Sequence, residues 1–96
     1  MSITIDVAFR YNKKYDVVEM FYYDEYRGVE GSLISFCMEE GHGKACYEHY
    51  LQDTKPIDTK SQHQMDKYRA IVKYYVDDDT KLRVLKRLKR GVCSYA

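Results

Sequence analysis

The chain has no tryptophan and a single proline, Pro56. It shows no internal repeat and no low-complexity tract, which excludes solenoids, propellers and biased linkers. Its longest uncharged apolar run is the six residues 33–38. A membrane span needs roughly 20 such residues, so no transmembrane helix is expected. The first six residues carry neither a basic n-region nor an apolar h-region, and no signal peptide is expected. Cysteine occurs three times, at Cys37, Cys46 and Cys93. An odd number without paired spacing argues against a disulfide framework and suggests reduced thiols in a cytoplasm. The few glycines form no phosphate-cradling loop and no nucleophile elbow, and Gly41-His42-Gly43 is too short to act as either.

What is present is enough for one small domain. Ninety-six residues, 45% apolar and 32% charged, bury one modest core and leave little room for a deep cleft with a supporting shell. The conspicuous excess is tyrosine, with 11 residues. Tyrosine favours strands, fills cores with its ring and is enriched at interfaces because its hydroxyl can stay wet. A domain of this size is expected to leave several of them at the surface, with Tyr11, Tyr15, Tyr22 and Tyr26 as the candidates for an aromatic binding face.

Along the chain, residues 3–10 alternate apolar and mostly polar side chains, the period of a half-buried strand. A turn follows at Asn12-Lys13-Lys14. Residues 15–23 and 29–38 read as further strands, the latter with a bulge or bend at Gly31 and separated from the former by a reversal at residues 24–28. Gly41-His42-Gly43 breaks the pattern, and residues 44–52 read as a short helix. Residues 53–64 are polar and read as a long loop. Residues 65–76 fit either period, and their β-branched and aromatic content favours a strand. Residues 81–90 read as an amphipathic helix. Asp77-Asp78-Asp79-Thr80 would supply its N-cap, Leu82, Leu85 and Leu88 its apolar stripe, and Gly91 its stop. The expected fold is α+β: one antiparallel sheet in the order β-β-β-α-β-α, with the helices packed on one face.

Charge is segregated. Residues 1–54 hold five Lys/Arg and ten Asp/Glu, a net of −5, and residues 55–96 hold eleven and five, a net of +6, which together give the chain's +1. Lys81, Arg83, Lys86, Arg87, Lys89 and Arg90 occupy ten residues without an acid. Such a run can neutralise phosphates, dock on an acidic protein surface, or simply form a solvated face. No nucleic-acid motif accompanies it, and the glycine-aromatic signature of an RNA-binding sheet is missing.

Cys37, His42, Cys46 and His49 have the chemistry of a tetrahedral zinc site but not its spacing, because no cysteine pair is two residues apart. The plainer assignment makes the cysteines small core residues and the histidines surface residues. Cys46 beside His42 or His49 lacks a third, orienting group for thiol catalysis. Glu39-Glu40 and Asp77-Asp78-Asp79 read as turns or caps before they read as cation ligands.

The expected function is therefore non-enzymatic, without catalytic residues, cofactor or metal. A small binding protein engages a protein partner through the basic segment and exposed tyrosines. Small phage or mobile-element proteins that inhibit or redirect a host protein share this size and lack of motif. Nucleic-acid binding through Lys81 to Arg90 is the alternative, a zinc or thiol enzyme the lesser one. No membrane role is expected, and the acidic and basic halves could also pair in a homodimer.

Overall fold

Residues 3–24 and 31–89 are described by the structure, a computed structural model. The first strand, β1 (Ile3–Asn12), turns at residues 13–16 into β2 (Val17–Tyr23). Asn12 Oδ1 accepts from the Tyr15 amide at 3.3 Å, and Asp16 completes the turn in the left-handed region at φ 53°. Aspartate tolerates that conformation better than bulkier residues do. Strand β3 (Ser32–Cys37) returns beside β2. Gly31, with φ 78°, leads into it rather than bulging within it. Its carbonyl accepts from the Tyr47 amide at 2.8 Å. The reversal expected at residues 24–28 lies outside the described residues beyond Asp24.

The segment Gly41-His42-Gly43 does not break the sheet. It begins β4 (Gly41–Cys46), which pairs antiparallel with β3. Gly41, at φ 80°, closes the three-residue turn from Cys37. Helix α1 (Tyr47–Gln52) is thus shorter than the pattern predicted. The expected long loop contains β5 (Lys55–Pro56), paired with Arg10 and Tyr11, and ends where α2 (Gln62–Asp77) starts.

Residues 65–76 are helix, not strand. Ser61 caps α2, its Oγ accepting from the Gln64 amide at 3.3 Å. Ile71 and Tyr75, four apart, are buried on one face, and the Tyr68 ring meets Phe9 edge-on at 4.6 Å. Packing of that stripe outweighs the strand preference of its individual residues.

The basic segment is likewise not a helix. Thr80–Val84 forms β6, parallel to the first half of β1 and in register from Ile3–Thr80 to Val7–Val84. Asp77, Asp78 and Asp79 end α2 instead of starting a new helix. Asp78 is the C-cap, and Asp79 turns the chain at φ 54°. Pairing satisfies the backbone of residues 3–7 of β1, which isolated helix formation by residues 81–90 would leave open.

The sheet order is β4-β3-β2-β1-β5, with β6 also on β1. The class is α+β, and the sheet is antiparallel except for the β1–β6 pair. The element order is β-β-β-β-α-β-α-β, and the helices lie on opposite faces rather than sharing one. Val7, Phe9, Val18, Met20 and Phe36 pack against Ile71 and Tyr75 of α2. Ala8, Phe21 and Leu33, one residue out of phase, pack against Tyr47 and Tyr50 of α1 and against Leu88. Each fully buried large side chain contributes about 1.5–3 kcal/mol through its removal from water. Among the described residues no helix is long and apolar enough to cross a membrane.

Candidate binding surfaces

The basic segment is built onto the α1 face by tyrosines. Beyond β6 the Leu85 amide still donates to the Val7 carbonyl at 2.8 Å. Leu88 is then completely buried in the second core. Tyr50 Oη accepts from the Leu88 amide at 3.0 Å, and Tyr47 Oη donates to the Leu88 carbonyl at 2.9 Å. Tyr23 Oη serves Lys89 twice, accepting from its amide at 2.9 Å and donating to its carbonyl at 3.0 Å. Three phenols therefore supply the partners that a neighbouring strand would otherwise supply.

On this clamped backbone Lys81, Arg83, Lys86, Arg87 and Lys89 are exposed. Arg83 is engaged with Asp6: its Nη2 donates to Asp6 Oδ2 at 2.8 Å and its Nε donates to Oδ1. The hydrogen bond from Arg83 holds the Asp6 carboxyl below its ordinary range. Lys81, Lys86, Arg87 and Lys89 form no ion pair among the described residues. Arg90 lies outside those residues. The basic run is an extended ridge, not one face of a helix.

The proposed aromatic face is not brought together. Tyr15 is 65% exposed. Tyr11 and Tyr22 pack against the first core, and the Tyr11 hydroxyl is spent on the Asp16 carboxylate. Tyr26 lies outside the described residues.

A polar constellation that the sequence reading missed lies on the α1 face of the sheet, beside the helix. Arg10, Asn12, Glu19 and Ser35 alternate onto the same side of the sheet as Ala8, Phe21 and Leu33. Glu19 is buried. Its carboxylate accepts from Ser35 Oγ at 2.8 Å and from Asn12 Nδ2 at 3.3 Å, and lies 3.2 Å from His49 Nε2 through both oxygens. The other ring nitrogen, Nδ1, is 2.9 Å from Asp53 Oδ2. Burial pulls the His49 pKa down, but the hydrogen bonds to Asp53 and Glu19 outweigh it and leave the pKa raised. Nearby, buried Arg10 donates to the Tyr50 carbonyl at 3.2 Å, to the Thr54 carbonyl at 2.8 Å and to Thr54 Oγ1 at 3.1 Å. An acid at the inward phase of an otherwise apolar strand was the available signal for Glu19.

Glu19, Ser35 and His49 line an open cleft of about 690 Å³ that runs along the whole of β4. Gly43 and Gly41 alternate onto its floor, and a Cβ built on either meets nothing within 4 Å. Glu40 and Tyr15 also border it.

The four possible metal ligands are dispersed. Cys37 is buried on the cleft side of β3, and burial raises its thiol pKa, which makes it a poor nucleophile. His42 points to the opposite face, its Nε2 2.7 Å from Tyr75 Oη and its ring 4.5 Å from Phe36. Cys46 is exposed at the start of α1, and His49 is held between its two carboxylates. No group of three ligating side chains that could hold a metal ion occurs among the described residues. Glu39 is paired with Lys67 at 2.6 Å.

No family model matches the chain, and neither does any curated protein or solved structure.

Proposed function

We propose that the protein is a non-enzymatic binding module that docks an acidic surface of a partner protein along residues 81–89. The observation that carries this reading is the pairing of exposed charge with a fixed backbone. Lys81, Lys86, Arg87 and Lys89 stand exposed on a segment fixed at both ends, by pairing of residues 80–84 and the Leu85 amide with β1 and by Tyr23, Tyr47 and Tyr50 on Leu88 and Lys89. A ridge ordered before binding loses little backbone entropy on docking, so more of its electrostatic attraction is retained as affinity and steering. No nucleic-acid motif accompanies the ridge, which favours a protein partner.

Affinity capture on the immobilised protein tests the proposal, using the native chain and a variant with Lys81, Lys86, Arg87 and Lys89 all changed to serine. The expected result is a discrete protein retained by the native chain, released by raised salt and lost in the variant at an unchanged melting temperature. Equal retention by both proteins removes the ridge from the interaction. Retention that disappears on nuclease treatment assigns the ridge to nucleic acid instead.

A further inference from the structure

The segment that carries the basic ridge is polarised along its own length. Residues 77–79 are three aspartates, and the ten residues after them hold Lys81, Arg83, Lys86, Arg87 and Lys89 and no acid. Asp77, Asp78 and Asp79 are all exposed. Among the described residues no cation pairs with them. Lys73, one helical turn before Asp77, and Lys81, just beyond Asp79, form no ion pair with these acids.

The fold itself gives the acids little return. They end α2, whose last turn has no basic residue, and a helix C-terminus disfavours negative charge. Asp79 has a conformational reason, since it turns the chain at φ 54° and aspartate tolerates the left-handed region. Asp78 caps α2 through its backbone amide, which any residue but proline supplies. Three adjacent like charges also repel one another. The unpaired cations that would neutralise them are Lys86, Arg87 and Lys89, beyond the far end of β6. The five extended residues of β6 hold the two ends about 16 Å apart, so one copy cannot bring them together.

Two copies can. Laid antiparallel about a two-fold axis, the segment is complementary to itself: the acids of each copy meet the cations of the other, twice. The axis falls midway between residues 77–79 and 87–89, at Arg83. A residue on such an axis meets its own copy, and like charges there are costly. Arg83 is the ridge cation whose charge is neutralised within the chain, by Asp6. Exposed apolar side chains gather at the same place. Of the seven large ones among the described residues, Ile3 lies opposite Thr80, Val84 lies within β6, and Val76 lies just before the turn. A second copy docked along β6 covers all three.

We propose that the free protein is a two-fold dimer in which Asp77, Asp78 and Asp79 of one copy dock against Lys86, Arg87 and Lys89 of the other. The inference rests on the ridge being a docking surface. It adds that the ridge is covered at rest, so that an acidic partner takes the place of a second copy. Exposed ion pairs are individually weak and screened by salt, so the dimer dissociates as ionic strength rises.

Sedimentation equilibrium of the full chain tests this. The expected result is a dimer at low salt, with a dissociation constant that rises roughly tenfold or more at moderate salt. Asp77→Lys with Asp78→Lys should leave a monomer whose melting temperature is not lowered, since basic residues suit a helix C-terminus. Lys86→Glu with Arg87→Glu should leave a monomer too. Mixed in equal amounts, the two variants regain opposite charge at both contacts and should form a heterodimer. Should Lys86→Glu with Arg87→Glu not fold, Lys89→Glu takes its place in the mixture. A native chain that is monomeric at low salt, a dimer indifferent to these substitutions, or variants that stay apart when mixed would each overturn the proposal. It fails separately from the function proposed above. A monomeric chain that still captures a protein through the ridge sinks the dimer alone, and a dimer that captures nothing else sinks that function alone.

Discussion

The Tyr23 hydroxyl and Lys89 form a two-point contact across 66 residues, the phenol bonding both polar atoms of a single backbone unit. With Tyr47 and Tyr50 on Leu88, this makes residues 88 and 89 an integral part of the fold. Leu88→Ala should therefore cost about 2–5 kcal/mol, the usual range for emptying a buried leucine site. Tyr23→Phe, which deletes only the hydroxyl at an exposed site, should cost about 0.5–1.5 kcal/mol. Urea denaturation measures both. A Leu88→Ala change below half a kcal/mol would mean that the segment is not docked.

His49 joins α1 to β2 through Glu19 and should make stability depend on pH. Its folded-state pKa is raised above 6.5. The proton-linked contribution is thus complete below about pH 6.5 and is lost as pH climbs through the raised value. The stability difference between the native chain and His49→Gln should shrink as pH increases from 6 to 9. Chemical denaturation across that range measures it, and the His49 imidazole resonances should titrate above 6.5. A difference that grows toward alkaline pH would reverse the assigned role.

Arg10 is a buried cation whose partners are neutral. It donates to the carbonyls of Tyr50 and Thr54 at the end of α1, where carbonyls lack helical donors, and lies 4.6 Å over the Tyr50 ring. Arg10→Leu should cost at least about 2 kcal/mol, because the buried Thr54 carbonyl loses its guanidinium donor and the Tyr50 carbonyl keeps only Thr54 Oγ1. Arg10→Lys should recover only part of this, since an ammonium cannot span the same fork. Thermal melts of the two variants compare them directly.

The exposed cations should behave in the opposite way. Lys86→Ala and Arg87→Ala should each alter stability by less than about 0.5 kcal/mol, as surface changes away from special features do. Their effect should fall on the association rate with the partner and should fade as ionic strength rises. Stopped-flow binding at low and high salt, beside a melting curve, separates the two effects.

The first three strands were legible because a period of two and short turns leave few alternatives, as in residues 3–10 and 15–23, whereas β4 was hidden by glycines that read as a break. Residues 80–84 were not, and for a specific reason. Leu82, Leu85 and Leu88 repeat every third residue, yet Leu82 serves the first core while Leu85 and Leu88 serve the second. A helical stripe and a strand that changes faces produce the same spacing. The three aspartates strengthened the error, since they stand at the C-terminal end of α2, where a helix dipole disfavours them. Residues 65–76 misled through composition, and the Ser61 cap was the overlooked signal. Of the candidate surfaces, the basic cluster was visible as charge. The Glu19–His49–Asp53 array was not, because it joins residues that only tertiary structure brings together.

The parallel register of Ile3–Val7 with Thr80–Val84 has a consequence for biosynthesis. The opening half of β1 waits for a strand that the ribosome makes more than seventy residues later. Until then Ile5 and Val7 lack their edge partner, and a long loop must be closed before that contact is rewarded. The β1–β6 pair thus closes only after residues 80–84 have been made, and in the interval a nascent chain carries a bare strand that a chaperone, or another nascent copy, can reach first.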